Sequence, residues 1–88
     1  MIENNLTPAH NRIAMDILAP HLQHFNLRGT VRAGDTGCWL RVEKVGMVTQ
    51  LRLEHVKSQV AQHGIFLTTM ILPDDHLGVE LHINFWSE

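Results

Sequence analysis

The polar and apolar positions of the chain change period several times, and each change predicts an element. After Pro8, the residues Ile13, Ala14, Ile17, Leu18, Leu22 and Phe25 fall on one side of a wheel turning about 100° per residue. Arg12, Asp16, Pro20 and Gln23 fall on the other side. Thr7 before Pro8 reads as an N-cap followed by proline at the first helical position. The pattern predicts a helix over residues 8–25. Pro20 would cost a helix interior about 3 kcal/mol, so it kinks this one on its outer face. A break at Ala19 into two short helices is the alternative.

A period of two follows in "LRGTVRA" and "CWLRVEK", on either side of "GDTG". Pairing Gly34 with Gly37 sets Ala33 against Cys38, Val31 against Leu40 and Gly29 against Val42 on one face. The same register sets Arg32 against Trp39, Thr30 against Arg41 and Arg28 against Glu43 on the other. One register thus yields an apolar face, a cation–aromatic pair and an opposite-charge pair, which predicts a hairpin.

Met47, Thr49, Leu51 and Leu53 alternate again and predict a third strand, although the same stretch could instead open the next helix. Leu53, Val56, Val60 and His63 form a helical stripe, which predicts a helix over residues 54–63 with Gly64 as its C-cap. "IFLTTMIL" and "GVELHINFW" predict two strands around the turn "PDDH". The order α-β-β-β-α-β-β predicts an α+β fold, a two-layer sandwich with a mainly antiparallel sheet and two helices on one face. A chain of 88 residues is expected to make a single domain over residues 1–88, with 1–6 as a flexible arm.

Composition narrows the classes. Apolar residues make up 44% of the chain and no segment is of low complexity, as in a globular domain. No apolar stretch approaches about 18 residues, so no membrane span is expected. The N-terminus lacks a basic-then-apolar signal, and the single cysteine, Cys38, cannot form an internal disulfide. A cytoplasmic location fits both. The net charge of −2 is unevenly spread. Arg28, Arg32, Arg41, Lys44, Arg52 and Lys57 make the middle of the chain basic. The last third holds Asp74, Asp75, Glu80 and Glu88 with no Lys or Arg. Such polarity steers partners or lets two copies meet head to tail.

Candidate chemistry is sparse. Asp35-Thr36-Gly37 is the triplet that carries the catalytic carboxylate in aspartic proteases. That family has two apolar residues before the triplet and is almost all β. Here Ala33-Gly34 precede it and the chain opens with a helix. Gly-Asp-Thr-Gly reads instead as turn chemistry. His21 and His24 have a spacing that can chelate a metal on a helix, but they lie inside the apolar arc with no carboxylate or second cysteine at ligand spacing. They read as packing histidines, with a metal site as the weaker alternative. Cys38 points to the apolar face of its strand, where a thiol is inert. No phosphate-cradling glycine motif is present. The expectation is a non-enzyme without a cofactor.

The second face of the sheet is more informative. The hairpin register turns Arg28, Arg32, Trp39 and Arg41 away from the aliphatic side. Glu80, His82, Asn84 and Trp86 form the non-aliphatic row of the last strand, and Phe66 and Met70 join it. Trp and Arg dominate binding hot spots, so Arg28, Arg32, Trp39, Arg41, Phe66, Met70 and Trp86 form a candidate interface. Two copies pairing this face would set Arg28, Arg32 or Arg41 near Glu80 or Asp74 of the other. The sequence therefore suggests a small protein-binding module that self-associates, of the inhibitor, adaptor or chaperone-like kind. The alternative is nucleic-acid binding, with Trp39 stacking a base and the surrounding arginines holding phosphates.

Overall fold

Thr7 begins the fold as expected: its side-chain oxygen accepts from the His10 N–H at 3.1 Å, and Pro8 opens the first helix. The computed structural model describes residues 3–74 and 78–88, with Asp74 described by its backbone only. Helix α1 spans Pro8–Leu18 and passes directly into a 3₁₀ segment, Ala19–His24, that contains Pro20. Strands β1 (Arg32–Gly34) and β2 (Gly37–Val42) form the first hairpin. Helix α2 (Met47–Ala61) follows, then β3 (Phe66–Asp74) and β4 (Gly78–Trp86). The centre of the turn between β3 and β4 lies outside the described residues. All pairings are antiparallel, and the strand order is β1-β2-β4-β3. The result is an α+β domain.

The core lies between the helices and one face of the sheet. Cys38, Leu40 and Val42 of β2, Leu81, Ile83 and Phe85 of β4, and Leu67 of β3 are buried there. Ala14, Leu18, Phe25, Leu53, Val56 and Val60 meet them from the helical layer. Each fully buried aliphatic or aromatic side chain contributes about 1.5–3 kcal/mol. The alternation of β2 and β4 therefore fixes which face the helices cover. At the N-terminal end, the Asn4 side-chain amide donates to the Phe85 carbonyl, and the Asn5 N–H donates to the Ser87 carbonyl. Asn4 and Asn5 are thus tied to the end of β4.

Three expectations change. The third strand is absent: Met47–Leu53 is the first half of α2, the alternative that the same stretch allowed. Thr49, Leu53, Val56 and Val60 are all buried and follow the helical period, whereas Met47 and Leu51, which share the alternation, are exposed. No glycine or proline stands between Gly46 and Gly64 to reverse the chain, so a strand-to-helix switch had no place to turn. The helix also ends before His63, which is exposed. The Ile65 N–H returns to the Val60 carbonyl at 3.1 Å, and Gly64 takes a φ of +73°, the left-handed closure of a helix C-terminus.

The hairpin register holds for Arg32–Trp39, Ala33–Cys38 and Gly34–Gly37, then fails. Leu27, not Gly29, lies opposite Val42, and the Arg28 N–H donates to the Arg41 carbonyl at 2.7 Å. Two extra residues are looped out before β1, where Gly29 has a φ of +92°. The pairings Thr30–Arg41 and Arg28–Glu43 are therefore not made by the ladder. Finally, the α-helix predicted to reach residue 25 stops at Leu18, so the alternative of a break at Ala19 is the one adopted. The 3₁₀ segment accommodates Pro20 near its start, where a missing N–H costs least.

Candidate protein-binding face

The strand registers arrange the uncovered face of the sheet in cross-strand rows. One row crosses all four strands: Arg32, Trp39, His82 and Met70. On one side lies Arg41, Glu80 and Leu72; on the other, Gly37, Asn84 and Thr68. Beyond that, Phe66 stands opposite Trp86. Neither helix covers these positions, because the aliphatic partners of each strand hold the helical layer to the opposite face.

The aromatic side chains are engaged with neighbours in the same rows. The Arg32 guanidinium carbon lies 4.9 Å from the Trp39 ring centroid, and that of Arg41 lies 6.0 Å away. His82 stacks on Trp39 with centroids 5.8 Å apart and an interplanar angle of 11°. Since β1 and β4 flank β2, Arg32 and His82 approach Trp39 from opposite sides. Phe66 and Trp86 stack at 4.6 Å. Glu80 sits beside Arg41 at 3.8 Å and beside His82 at 3.3 Å. These partly exposed pairs contribute little energy.

Between the two aromatic groups the row Gly37–Asn84–Thr68 is low. It forms the floor of a depression of about 450 Å³, walled by Arg32, Trp39, His82 and Met70. Thr36 donates from its hydroxyl to Asn84 Oδ1 at 3.1 Å across this floor. Residues 82 and 86 of one strand are roughly 13 Å apart at 3.3 Å per residue, enough for one layer of side chains between them. Gly37 cannot be replaced here without a clash: a Cβ would come within 2.0 Å of the Ile83 carbonyl oxygen.

Six of the seven residues that the sequence assigns to the interface share this face: Arg32, Trp39, Arg41, Phe66, Met70 and Trp86. Arg28 lies in the loop before β1, with its side chain beside Gly78 at the start of β4. Glu80, His82, Asn84 and Thr36 complete the face. The alternation of β4 had placed the first three in the right row, but only the β2–β4 register brings His82 against Trp39 and Glu80 against Arg41. Asp35 is exposed in the β1–β2 turn. Asp74, offered by the sequence as a charge partner for a second copy, has a side chain outside the described residues.

The remaining candidates lie in the helical layer or the core. Cys38 is buried, and burial pushes its thiol up to about 11. His21 is buried, with its ring 5.5 Å from that of His55, and its Nδ1 has no hydrogen-bond partner. Burial holds its pKa below the ordinary histidine value, and the nearby Arg52, His55 and His24 act in the same direction, while Gln59 opposes them. Among the described residues no three His, Cys, Asp or Glu side chains converge as a metal site. No helix among them is long and apolar enough to cross a membrane. Comparison of the chain with protein-family models, with curated proteins and with solved structures returns no match.

Proposed function

We propose that this chain is a non-catalytic protein-binding module that acts as a homodimer and receives an acidic partner segment on its open sheet face. The observation that carries the reading is the row Arg32–Trp39–His82–Met70 beside a low floor of Gly37, Asn84 and Thr68. Aromatic and arginine side chains grouped around a depression are the usual make-up of a hot spot. Arg32 at one side favours a carboxylate on the partner, while Arg41 already faces Glu80.

Nucleic-acid binding is the weaker reading because Trp39 is flanked on both sides by Arg32 and His82, which occupy the positions a stacked base would need. Affinity capture with wild type, Trp39→Ala and Trp86→Ala as parallel baits tests the proposal. A defined protein bound stoichiometrically by wild type and lost with Trp39→Ala supports it. A partner that binds all three equally overturns it. Tryptophan quenching by a single-stranded oligonucleotide that fades steeply with salt would favour the nucleic-acid reading.

A further inference from the structure

The exposed apolar surface is concentrated on one edge of the molecule. Among the described residues, eight large hydrophobic side chains are exposed, and seven belong to α2 or β3. Met47 and Leu51, on the side of α2 away from its buried stripe, are 77% and 63% exposed; Ile71 of β3 is 51% exposed. These three line a groove of about 590 Å³ between the helix and the strand, together with Glu54, Lys57 and Thr69.

The same strand is an open edge. β3 is nine residues long and ends the sheet. The Phe85 N–H donates to the Thr36 carbonyl on the β2 side of β4. Alternation along an antiparallel ladder then directs the even-numbered residues of β4 toward β3, and with them the even-numbered residues of β3 toward β4. The N–H and C=O groups of Leu67, Thr69 and Ile71 are left facing outward, where the sheet has no further strand. A long, apolar, unpaired edge is a template for another strand.

We infer that this edge is the contact between two copies of the chain. β3 of each copy pairs antiparallel with β3 of the other about a two-fold axis, and the two α2 helices meet above the join. Two features select a second copy over a foreign strand. The first is the self-complementarity of β3. Centred on Thr69, the strand pairs Phe66 with Leu72 and Leu67 with Ile71 of the second copy, so apolar residues meet apolar residues. Pro73, which lacks an N–H, then falls at the end of the ladder, where an edge tolerates it. The second is charge. Glu54 and Lys57 stand one turn apart on the groove wall. A two-fold axis reverses α2, so Glu54 of each copy meets Lys57 of the other, and the pair occurs twice.

This interface gives the proposed homodimer a location separate from the partner-binding face. It leaves that face open and makes it continuous across both copies, with the Met70 side chains near the join. Sedimentation over a concentration series, with far-UV circular dichroism as the check on folding, tests it. Wild type is expected to be a dimer. Ile71→Lys and Leu51→Glu, both at exposed positions, are expected to be folded monomers. Glu54→Lys should raise the dimer dissociation constant by about five- to tenfold at low salt, and adding Lys57→Glu should restore it. Trp39→Ala should leave the dimer intact, which separates this contact from the open-face reading.

A wild type that stays monomeric at millimolar concentration overturns the proposal. So does a dimer that survives both Ile71→Lys and Leu51→Glu, or one that Trp39→Ala alone dissociates. Should Ile71→Lys fail to fold, the charge exchange decides: no weakening by Glu54→Lys rejects the arrangement.

Discussion

Phe66 and Trp86 stack with ring centroids 4.6 Å apart, across the pair that joins the start of β3 to the end of β4. The contact closes the open end of this hairpin, opposite its turn. An aromatic pair of this kind contributes about 0.5–1.5 kcal/mol beyond the area it buries. Urea unfolding of Phe66→Ala, Trp86→Ala and the double variant should give a coupling of about 1 kcal/mol. A coupling near zero would show that the rings do not stabilise one another in solution.

Two glycines with positive φ should respond very differently to alanine. At Gly37, φ is +126° and a Cβ would meet the Ile83 carbonyl oxygen at 2.0 Å. The β2–β4 spacing must open to admit it, so Gly37→Ala should cost more than about 3 kcal/mol or prevent folding. At Gly29, φ is +92° but nothing lies within 4 Å of the added carbon. Gly29→Ala should cost only about 1 kcal/mol, from backbone conformation alone. Comparable losses of melting temperature in the two variants would contradict this difference.

Stability should fall in mild acid because of His21. Its folded pKa is depressed, chiefly by burial, so between the unfolded value of about 6.5 and the lower folded value the unfolded chain binds more protons. The contribution of neutral His21 is therefore fully present above about pH 6.5 and is lost as pH falls through the folded pKa. His21→Gln should flatten this part of the stability profile. An NMR titration that places His21 at or above 6.5 would refute the argument.

Cys38 should behave as a reporter of opening. With its thiol near 11, roughly a thousandth is thiolate at pH 8, and the side chain is buried. Labelling by a thiol reagent should be slow in native buffer and fast in denaturant. Fast native labelling would mean that β2 opens readily from the core.

The sheet was legible because its strands alternate over one register at a time. Cys38, Leu40 and Val42, and Leu81, Ile83 and Phe85, declare the covered face, and every position between them then belongs to the open one. This is why Trp39, Trp86 and Met70 could be placed on one face from sequence. The start of α2 was not legible by the same rule. Met47, Thr49, Leu51 and Leu53 satisfy a period of two, while Thr49, Leu53, Val56 and Val60 satisfy the helical period, and only the missing turn between them decides the matter. The early pairing of β1 failed for a related reason. A register read outward from a turn carries no signal for residues looped out at Gly29. His82 and Glu80 were assigned to the row but not to the site, because their contacts with Trp39 and Arg41 depend on strand order, which alternation does not encode.

The brevity of β1 has a consequence for assembly. With three residues against nine in β3, it offers an incoming strand little ladder, and the looped-out residues before it give no continuation. In polymer terms the sheet approaches a valence of one: if two copies join through β3 as proposed, each uses its longer edge, and the short β1 edge offers little ladder for a third copy to extend.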